Sequence, residues 1–189
     1  MRQDGRPAIF IDRDGTINHR LEGRYVTRWV EFVFLPGVLD ALRCLTRAGF
    51  ALVAVSNQAG VGKGLLKDSA LAEIHRQMAG AITRAGGRLD GIYVCPHLPE
   101  DDCACRKPRP GLLLRAVKEL GIDLTSSYIV GDSLSDIEAG RAAGCRTILI
   151  GNGLVSSESG AAPCRTVPNL LAAAELILGE TRAPKPIWV

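Results

Sequence analysis

The sequence predicts an α/β domain with a doubly wound parallel sheet and helices on both faces. The first observation is that short apolar runs alternate with segments of helical periodicity along most of the chain. The second is that the helical segments are long enough to connect parallel strands. The third is that several apolar runs end in an acid, an amide or a hydroxyl side chain. Open α/β sheets bind their ligands at the carboxyl edge where such side chains lie.

The elements follow one another in a regular order. Strands are predicted near residues 8–12, 51–55, 92–94, 128–131 and 147–150. Helices are predicted near 38–48, 67–85, 111–120, 134–143 and 169–178, where apolar residues recur at helical spacing. In the first helix the apolar stripe ends before Gly49, a typical stop. We expect a loop at 151–168, a tail at 180–189, and one domain over 1–189 without a large cap.

The composition is typical of one soluble catalytic domain. With 189 residues, of which 47% are hydrophobic and 23% charged, the chain can bury a sizeable core. A net charge of +3, scattered basic residues and 5% aromatic residues argue against nucleic acid as a partner. No apolar run approaches the ~20 residues of a membrane span. We expect a cytoplasmic monomer that has no membrane partner and no signal segment.

Asp12 and Asp14 follow the first predicted strand directly and precede a Gly-Thr pair. Two carboxylates at the carboxyl edge of a sheet favour a magnesium site. One of them could attack phosphorus while the other donates a proton. The alternative is a surface turn, since Asp, Gly and Thr are common turn residues.

Three later segments favour the catalytic interpretation, because each supplies a group that such a site needs. The second strand ends in Ser56-Asn57-Gln58, which offers a hydroxyl and two amides. Arg106-Lys107 adds a pair of cations, and the fourth strand ends in Asp132. Asp136 has two interpretations: it orders Lys107 or metal-bound water, or it interacts with the dipole of its helix.

Four soft ligands lie within an eleven-residue segment, 95–105: Cys95, His97, Cys103 and Cys105. Three thiolates and an imidazole complete a tetrahedral Zn²⁺ shell. A complete shell leaves no open coordination position, so this zinc is expected to be structural and to hold Lys107 in place. The alternatives are unliganded reduced cysteines and a redox pair at Cys103 and Cys105.

Together these segments resemble the four motifs of the haloacid dehalogenase-like phosphatases. The motifs are Asp12-x-Asp14-Gly-Thr, Ser56-Asn57, Lys107-Pro108 and Gly131-Asp132-Ser-x-x-Asp136. The resemblance covers roughly residues 8–151. It narrows to the branch that contains heptose bisphosphate phosphatases and the histidinol-phosphate phosphatase domain. The residues that indicate this branch are Asp12-Arg13-Asp14-Gly15-Thr16-Ile17-Asn18, Asn57-Gln58-x-Gly60-Val61, and Cys95-Pro96-His97 with Cys103-x-Cys105-Arg106-Lys107-Pro108-x-Pro110-Gly111.

The resemblance implies a phosphatase that works through an aspartyl-phosphate. Asp12 would be the nucleophile and Asp14 the general acid and base, while Ser56 and Lys107 would bind the transferring phosphoryl oxygens. Mg²⁺ would be held by Asp12, Asp132 and the main-chain carbonyl of Asp14.

Neither interval between motifs can hold an inserted lid, so the pocket is expected to be open, with selectivity set by short loops. The expected substrate is a small sugar that carries two phosphates. The loops also contain more cations than one phosphate requires. The expected binding residues are Arg13, Arg20, Tyr25, Asn57, Gln58, Arg106 and Ser133. The resemblance points to the 7-phosphate of a heptose 1,7-bisphosphate. The alternatives are histidinol phosphate as substrate and a non-catalytic phosphate-binding module. A mutase or phosphotransferase would need a lid.

Overall fold

The computed structural model describes residues 5–151 and 163–182. Its centre is a six-stranded sheet in the order β3-β2-β1-β4-β5-β6, and all neighbouring strands pair in parallel. The strands are β1 (Ala8–Ile11), β2 (Ala51–Asn57), β3 (Gly91–Cys95), β4 (Tyr128–Gly131), β5 (Arg146–Ile150) and β6 (Arg165–Val167). The predicted doubly wound α/β class is confirmed.

Within the described residues, six α-helices connect or follow the strands. They are α1 (Val38–Arg47), α2 (Ala59–Gly62), α3 (Asp68–Arg84), α4 (Gly111–Leu120), α5 (Leu134–Ala143) and α6 (Leu170–Arg182). Short 3-10 turns lie at Trp29–Glu31, Pro99–Asp101 and Leu124–Ser126. No helix in the described ranges has both the length and the apolarity that a membrane span requires.

The central strand β1 is buried on both faces, as its unbroken apolar run requires. Phe10 lies in register with Val53 of β2 on one side and with Ile129 of β4 on the other. Alternate residues of the strand enter two different cores: Ile9 and Ile11 pack with α1, α3 and α6. Phe10 packs with α4 and α5.

The structure differs from the sequence expectation mainly near the C-terminus. The expected loop 151–168 contains β6, which pairs with β5 through Ile148 and Arg165. β6 has only three residues, two of them exposed, so it lacks the apolar pattern by which a strand is recognised. The closing helix α6 extends to Arg182, beyond the expected end at 178. Residues 152–162 of the loop and 183–189 of the tail lie outside the described residues.

Candidate active site and metal-ligand clusters

The functional side chains meet at the carboxyl edge of β1, β2 and β4, three adjacent strands. Asp12 follows β1, Ser56 lies near the end of β2, and Asp132 follows β4. The main chain of Asp12 continues the parallel pairing, because its N–H donates to the carbonyl of Val130 at 2.9 Å. Adjacent parallel strands therefore bring together residues that lie up to 120 positions apart in the sequence.

Lys107 reaches this edge from the segment before α4, and its side chain is almost completely buried. Its Nζ donates to Oδ1 of Asp12 at 2.6 Å, to Oδ1 of Asp136 at 2.5 Å and to the carbonyl of Val55 at 2.9 Å. All three hydrogens of the ammonium group therefore have acceptors. Asn57 fixes the Lys107 main chain by accepting from its N–H at 3.1 Å and donating to its carbonyl at 3.0 Å.

Asp136 contacts both Lys107 and the start of its own helix. One carboxylate oxygen accepts from Lys107, and the other accepts from Ser133, from its N–H at 3.2 Å and its hydroxyl at 2.9 Å. Ser133 and Asp136 form a capping box at the start of α5. The same side chain thus starts a helix and orders the buried lysine.

Burial and neighbouring charges shift the pKa values of Asp12 and Lys107 in the site. Burial raises the pKa of Asp12 to about 7, and the Asp136 and Asp132 carboxylates raise it too, whereas Lys107 lowers it. Burial lowers the pKa of Lys107, but the two carboxylates that it contacts raise it above its ordinary value. Lys107 is therefore a permanent cation. The positive charge around Asp12, Asp132 and Asp136 is too small to balance the negative charge of these three carboxylates.

A divalent cation fits this deficit. One oxygen each of Asp12, Asp132 and Asp136 lies within 4.8 Å of the others. Such hard oxygen donors are the ligands that Mg²⁺ prefers. The main-chain carbonyl of Asp14 lies beside Asp132, because Nη2 of Arg20 donates to both, at 3.0 and 2.8 Å. The predicted magnesium ligands Asp12, Asp14 and Asp132 are thus brought together, and Asp136 joins them.

Gly15 shows how tightly the turn after β1 approaches Asp132. Its φ of +95° lies in the left-handed region, and a Cβ at this position would lie 1.9 Å from Oδ2 of Asp132. Both the backbone conformation and the close approach therefore require glycine.

The carboxylate of Asp14 is held by side chains that surround it. Its Oδ1 accepts from Nδ2 of Asn18 and from Nη2 of Arg13, both at 3.0 Å, and its Oδ2 accepts from Nε2 of Gln58 at 2.7 Å. Burial raises the pKa of Asp14, but the Arg13 charge and these hydrogen bonds hold it below its ordinary value. Sequence reasoning gave no role to the fully buried Asn18, although it lies within the motif quoted for the resemblance.

A cavity of about 580 Å³ contains the side chains of Asp12, Asp14, Ser56 and Lys107 in its wall. This volume is in the usual range for small-molecule sites. Four of the expected binding residues also line it: Arg20, Tyr25, Asn57 and Ser133. Two further cations, Arg24 and Lys63, contribute to the lining as well.

Three expected binding residues do not line this cavity, and the expected role of two of them is corrected. Arg13 and Gln58 are each 1% exposed and lie behind Asp14, with which both form hydrogen bonds. Burial leaves them no surface for direct contact with substrate. Arg106 donates to the carbonyl of His97 at 3.2 Å and so supports the segment 95–105, while its contact with substrate stays a prediction.

The four soft ligands form a second cluster beside the site. The sulfur atoms of Cys95, Cys103 and Cys105 lie 3.2–3.5 Å apart, and Nδ1 of His97 lies 3.2 Å from the sulfur of Cys105 and 3.5 Å from that of Cys95. A tetrahedral zinc with thiolates at about 2.3 Å has sulfur–sulfur edges of roughly 3.8 Å. The cluster is therefore close to the size of a zinc shell, and Cys95 is at the end of β3.

Comparisons with known proteins agree with this geometry. A family model described as HAD-hydrolase-like matches residues 104–173. The D-glycero-β-D-manno-heptose-1,7-bisphosphate 7-phosphatase of Yersinia pestis is 42% identical over 174 residues, which cover 88% of this chain and 92% of that protein. The enzyme of the same name from Escherichia coli K12 is 44% identical over 148 residues, covering 75% and 76%.

A solved structure shows the same fold. The D,D-heptose 1,7-bisphosphate phosphatase from B. bronchiseptica, crystallised with magnesium and phosphate, superposes with a TM-score of 0.84 at 39% identity. The match covers 92% of this chain and 99% of that one. On this evidence the chain belongs to the haloacid dehalogenase-like hydrolases, in the group of the heptose 1,7-bisphosphate 7-phosphatases.

Proposed function

We propose that this chain is a magnesium-dependent phosphatase that removes the 7-phosphate of D-glycero-D-manno-heptose 1,7-bisphosphate through an aspartyl-phosphate. The observation that carries the proposal is the pairing of Asp12 with Lys107 at 2.6 Å in the wall of an open cavity lined by further cations. The names of the relatives support the substrate.

In the first step Asp12 attacks phosphorus, and the bond between phosphorus and the sugar oxygen breaks. Lys107 and the hydroxyl of Ser56 bind the non-bridging oxygens, whose negative charge must be offset before a carboxylate can approach. Asp14, protonated beside the negatively charged phosphate, gives that proton to the departing sugar oxygen. Asn57 and Asp136 keep Lys107 in place through the hydrogen bonds described above.

In the second step water attacks the phosphorus of the aspartyl-phosphate. Asp14, now a carboxylate, accepts a proton from that water, and the bond between phosphorus and Asp12 breaks. The products are inorganic phosphate and regenerated Asp12. The hydrogen bonds from Arg13, Asn18 and Gln58 suit this step, because they stabilise the charged form of Asp14 that must act as a base.

We propose that Mg²⁺ binds to Asp12, Asp132 and the main-chain carbonyl of Asp14, and that it supplies positive charge to the phosphoryl group. We further propose that Cys95, His97, Cys103 and Cys105 bind a structural zinc. Lys107 lies two residues after the last of these ligands, so the metal would fix the segment that carries the catalytic lysine.

The preference for a bisphosphate is supported by the charges around the cavity. Lys107 serves the transferred phosphate, and Arg20, Arg24 and Lys63 lie in the same lining. Arg24 is 65% exposed in its side chain and reaches only to 3.9 Å from Glu31, so it can turn toward a ligand. A charge-assisted contact to a second phosphate is worth about 1.5 to 3 kcal/mol, or about ten- to a hundredfold in kcat/KM.

Phosphate release from three compounds tests this function: heptose 1,7-bisphosphate, heptose 7-phosphate and histidinol phosphate. We expect the bisphosphate to have the highest kcat/KM and Asp12→Asn to be inactive on all three. Arg24→Ala and Lys63→Ala should lower kcat/KM more for the bisphosphate than for the 7-phosphate. Arg47→Ala, which changes an exposed cation at the end of α1, is the matched control and should change neither.

Two outcomes would overturn the assignment. If histidinol phosphate were the best substrate, the chain would be a histidinol-phosphate phosphatase. If no compound released phosphate in the presence of Mg²⁺, the interpretation as a non-catalytic phosphate-binding module would replace the enzyme.

A further inference from the structure

His75 contacts the active site from an unexpected direction. It lies in the middle of α3, 62 positions from Arg13 in the sequence, and its ring is half-buried. Nε2 of His75 is 3.1 Å from Nη1 of Arg13. The helix therefore places an imidazole against the guanidinium that supports Asp14.

The protonation of His75 follows from its partner. Arginine has only donors, so Nε2 of His75 must be the acceptor and cannot carry a proton. Burial, and then the positive charge of Arg13, lower the pKa of His75 to about 4. At neutral pH the ring is therefore uncharged and has its proton on Nδ1.

Arg13 has few other ways to satisfy its hydrogen-bond donors. Its Nη2 lies 3.0 Å from Oδ1 and 2.8 Å from Oδ2 of Asp14, and 3.2 Å from Oε1 of Gln58. Its buried Nε has no hydrogen-bond partner among the described residues. The imidazole is thus the acceptor that holds the far side of the guanidinium. Without it, a buried charged group would lose a partner and could turn away from Asp14.

We propose that His75 is a positioning residue that acts through Arg13 to hold Asp14 in the orientation needed for proton transfer. The proposal rests on the proposed phosphatase function. The proposal gives a role in catalysis to a residue of α3, a helix that contributes no residue to the cavity lining.

Leaving-group dependence separates positioning from general damage. An alkyl leaving group such as a sugar oxygen needs a proton from Asp14, whereas p-nitrophenolate leaves with little help. His75→Leu keeps the bulk of the side chain but removes the acceptor. We expect its kcat/KM to fall about tenfold more for the sugar bisphosphate than for p-nitrophenyl phosphate. His75→Gln, which retains an acceptor, should restore most of the difference.

Gln77→Leu is the matched control, because Gln77 lies on the same helix and its side chain donates a hydrogen bond to Glu73, away from Arg13. It should leave both rates unchanged. Equal losses on the two substrates in His75→Leu, or no loss at all, would overturn the positioning role. The proposed function is tested separately by the wild type, since a failure there would appear as no phosphate release from either compound.

A spectroscopic measurement tests the contact without any turnover. The chain has three histidines, so the nitrogen signals of His75 can be assigned by their loss in His75→Gln. We expect ¹⁵N NMR at pH 7 to show a neutral ring with the proton on Nδ1. A ring that carries its proton on Nε2, or a positively charged ring, would exclude acceptance from Arg13 and overturn the proposal.

Discussion

Nη2 of Arg20 donates to Oδ1 of Asp132 at 2.8 Å, and the same nitrogen donates to the main-chain carbonyl of Asp14 at 3.0 Å. These two oxygens are among those that we propose as magnesium ligands. Arg20 is 52% exposed in its side chain, so it can leave this position at little cost. A guanidinium and a metal ion would compete for the same two oxygens, because a bound ion leaves them little negative charge to share.

Removing Arg20 should therefore strengthen magnesium binding in the absence of substrate. We expect Arg20→Ala to bind Mg²⁺ several-fold to about tenfold more tightly, which corresponds to about 1 kcal/mol. Isothermal titration calorimetry of the substrate-free protein measures this directly. Arg24→Ala is the matched control, since it removes a cation from the same cavity without touching either oxygen. Equal affinities in wild type and Arg20→Ala would rule out the competition.

The zinc cluster should be needed for the geometry of Lys107 and for stability, but not for the chemical step. We expect purified protein to contain about one zinc per chain and Cys103→Ser to lose it, with lower stability and activity. Elemental analysis and thermal unfolding measure the two effects. Cys44→Ser changes a cysteine outside the cluster and should keep its zinc. A wild type without zinc, together with a normal Cys103→Ser, would contradict the structural metal.

Asp136→Asn should destabilise the protein by more than the loss of a helix cap alone. The carboxylate accepts on both oxygens, from Lys107 and from Ser133, whereas an amide offers one acceptor and one donor. One of the two contacts must therefore fail in the variant. We expect a loss of about 2 to 3 kcal/mol in the free energy of unfolding, compared with about 1 kcal/mol for Ser133→Ala. Denaturant titration that gave equal losses would assign Asp136 to capping only.

The fold could be predicted from the sequence where the pattern is local and apolar. β1 is a run of four buried apolar residues that ends at Asp12, and α1 and α3 have continuous apolar stripes. β6 escaped prediction because it lies at the sheet edge with two exposed polar residues. β6 is a strand because it pairs with β5, and a sequence of three residues gives no information about that pairing.

The site was predictable to the extent that strand ends locate it. Asp12 and Asp132 follow strands, Ser56 lies near the end of one, and parallel strands share one carboxyl edge. The environment of Arg13 was not predictable, because its neighbour His75 is brought to it by the packing of α3. A side chain beside a catalytic motif was therefore taken for a substrate ligand, whereas it is buried behind Asp14.

The stability of the protein should record the uncharged state of His75. Its pKa of about 4 in the folded protein lies below the ordinary value of 6.5, so between these two values the unfolded chain binds more protons at this residue. The contribution of His75 to the free energy of unfolding therefore increases as the pH rises from about 4 to 6.5, and it decreases when the pH is lowered through this range. At about 1.4 kcal/mol per pKa unit, the whole contribution is about 3 to 4 kcal/mol, and about 2 to 3 kcal/mol of it develops between pH 4 and 7. Urea unfolding of wild type and of His75→Gln across this pH range isolates the contribution of His75. The carboxylates titrate in both proteins, so their contribution cancels in the difference. The difference between the two free energies of unfolding should change by about 2 to 3 kcal/mol from pH 4 to 7. Parallel curves would mean that burial and Arg13 do not hold the imidazole neutral in the folded protein.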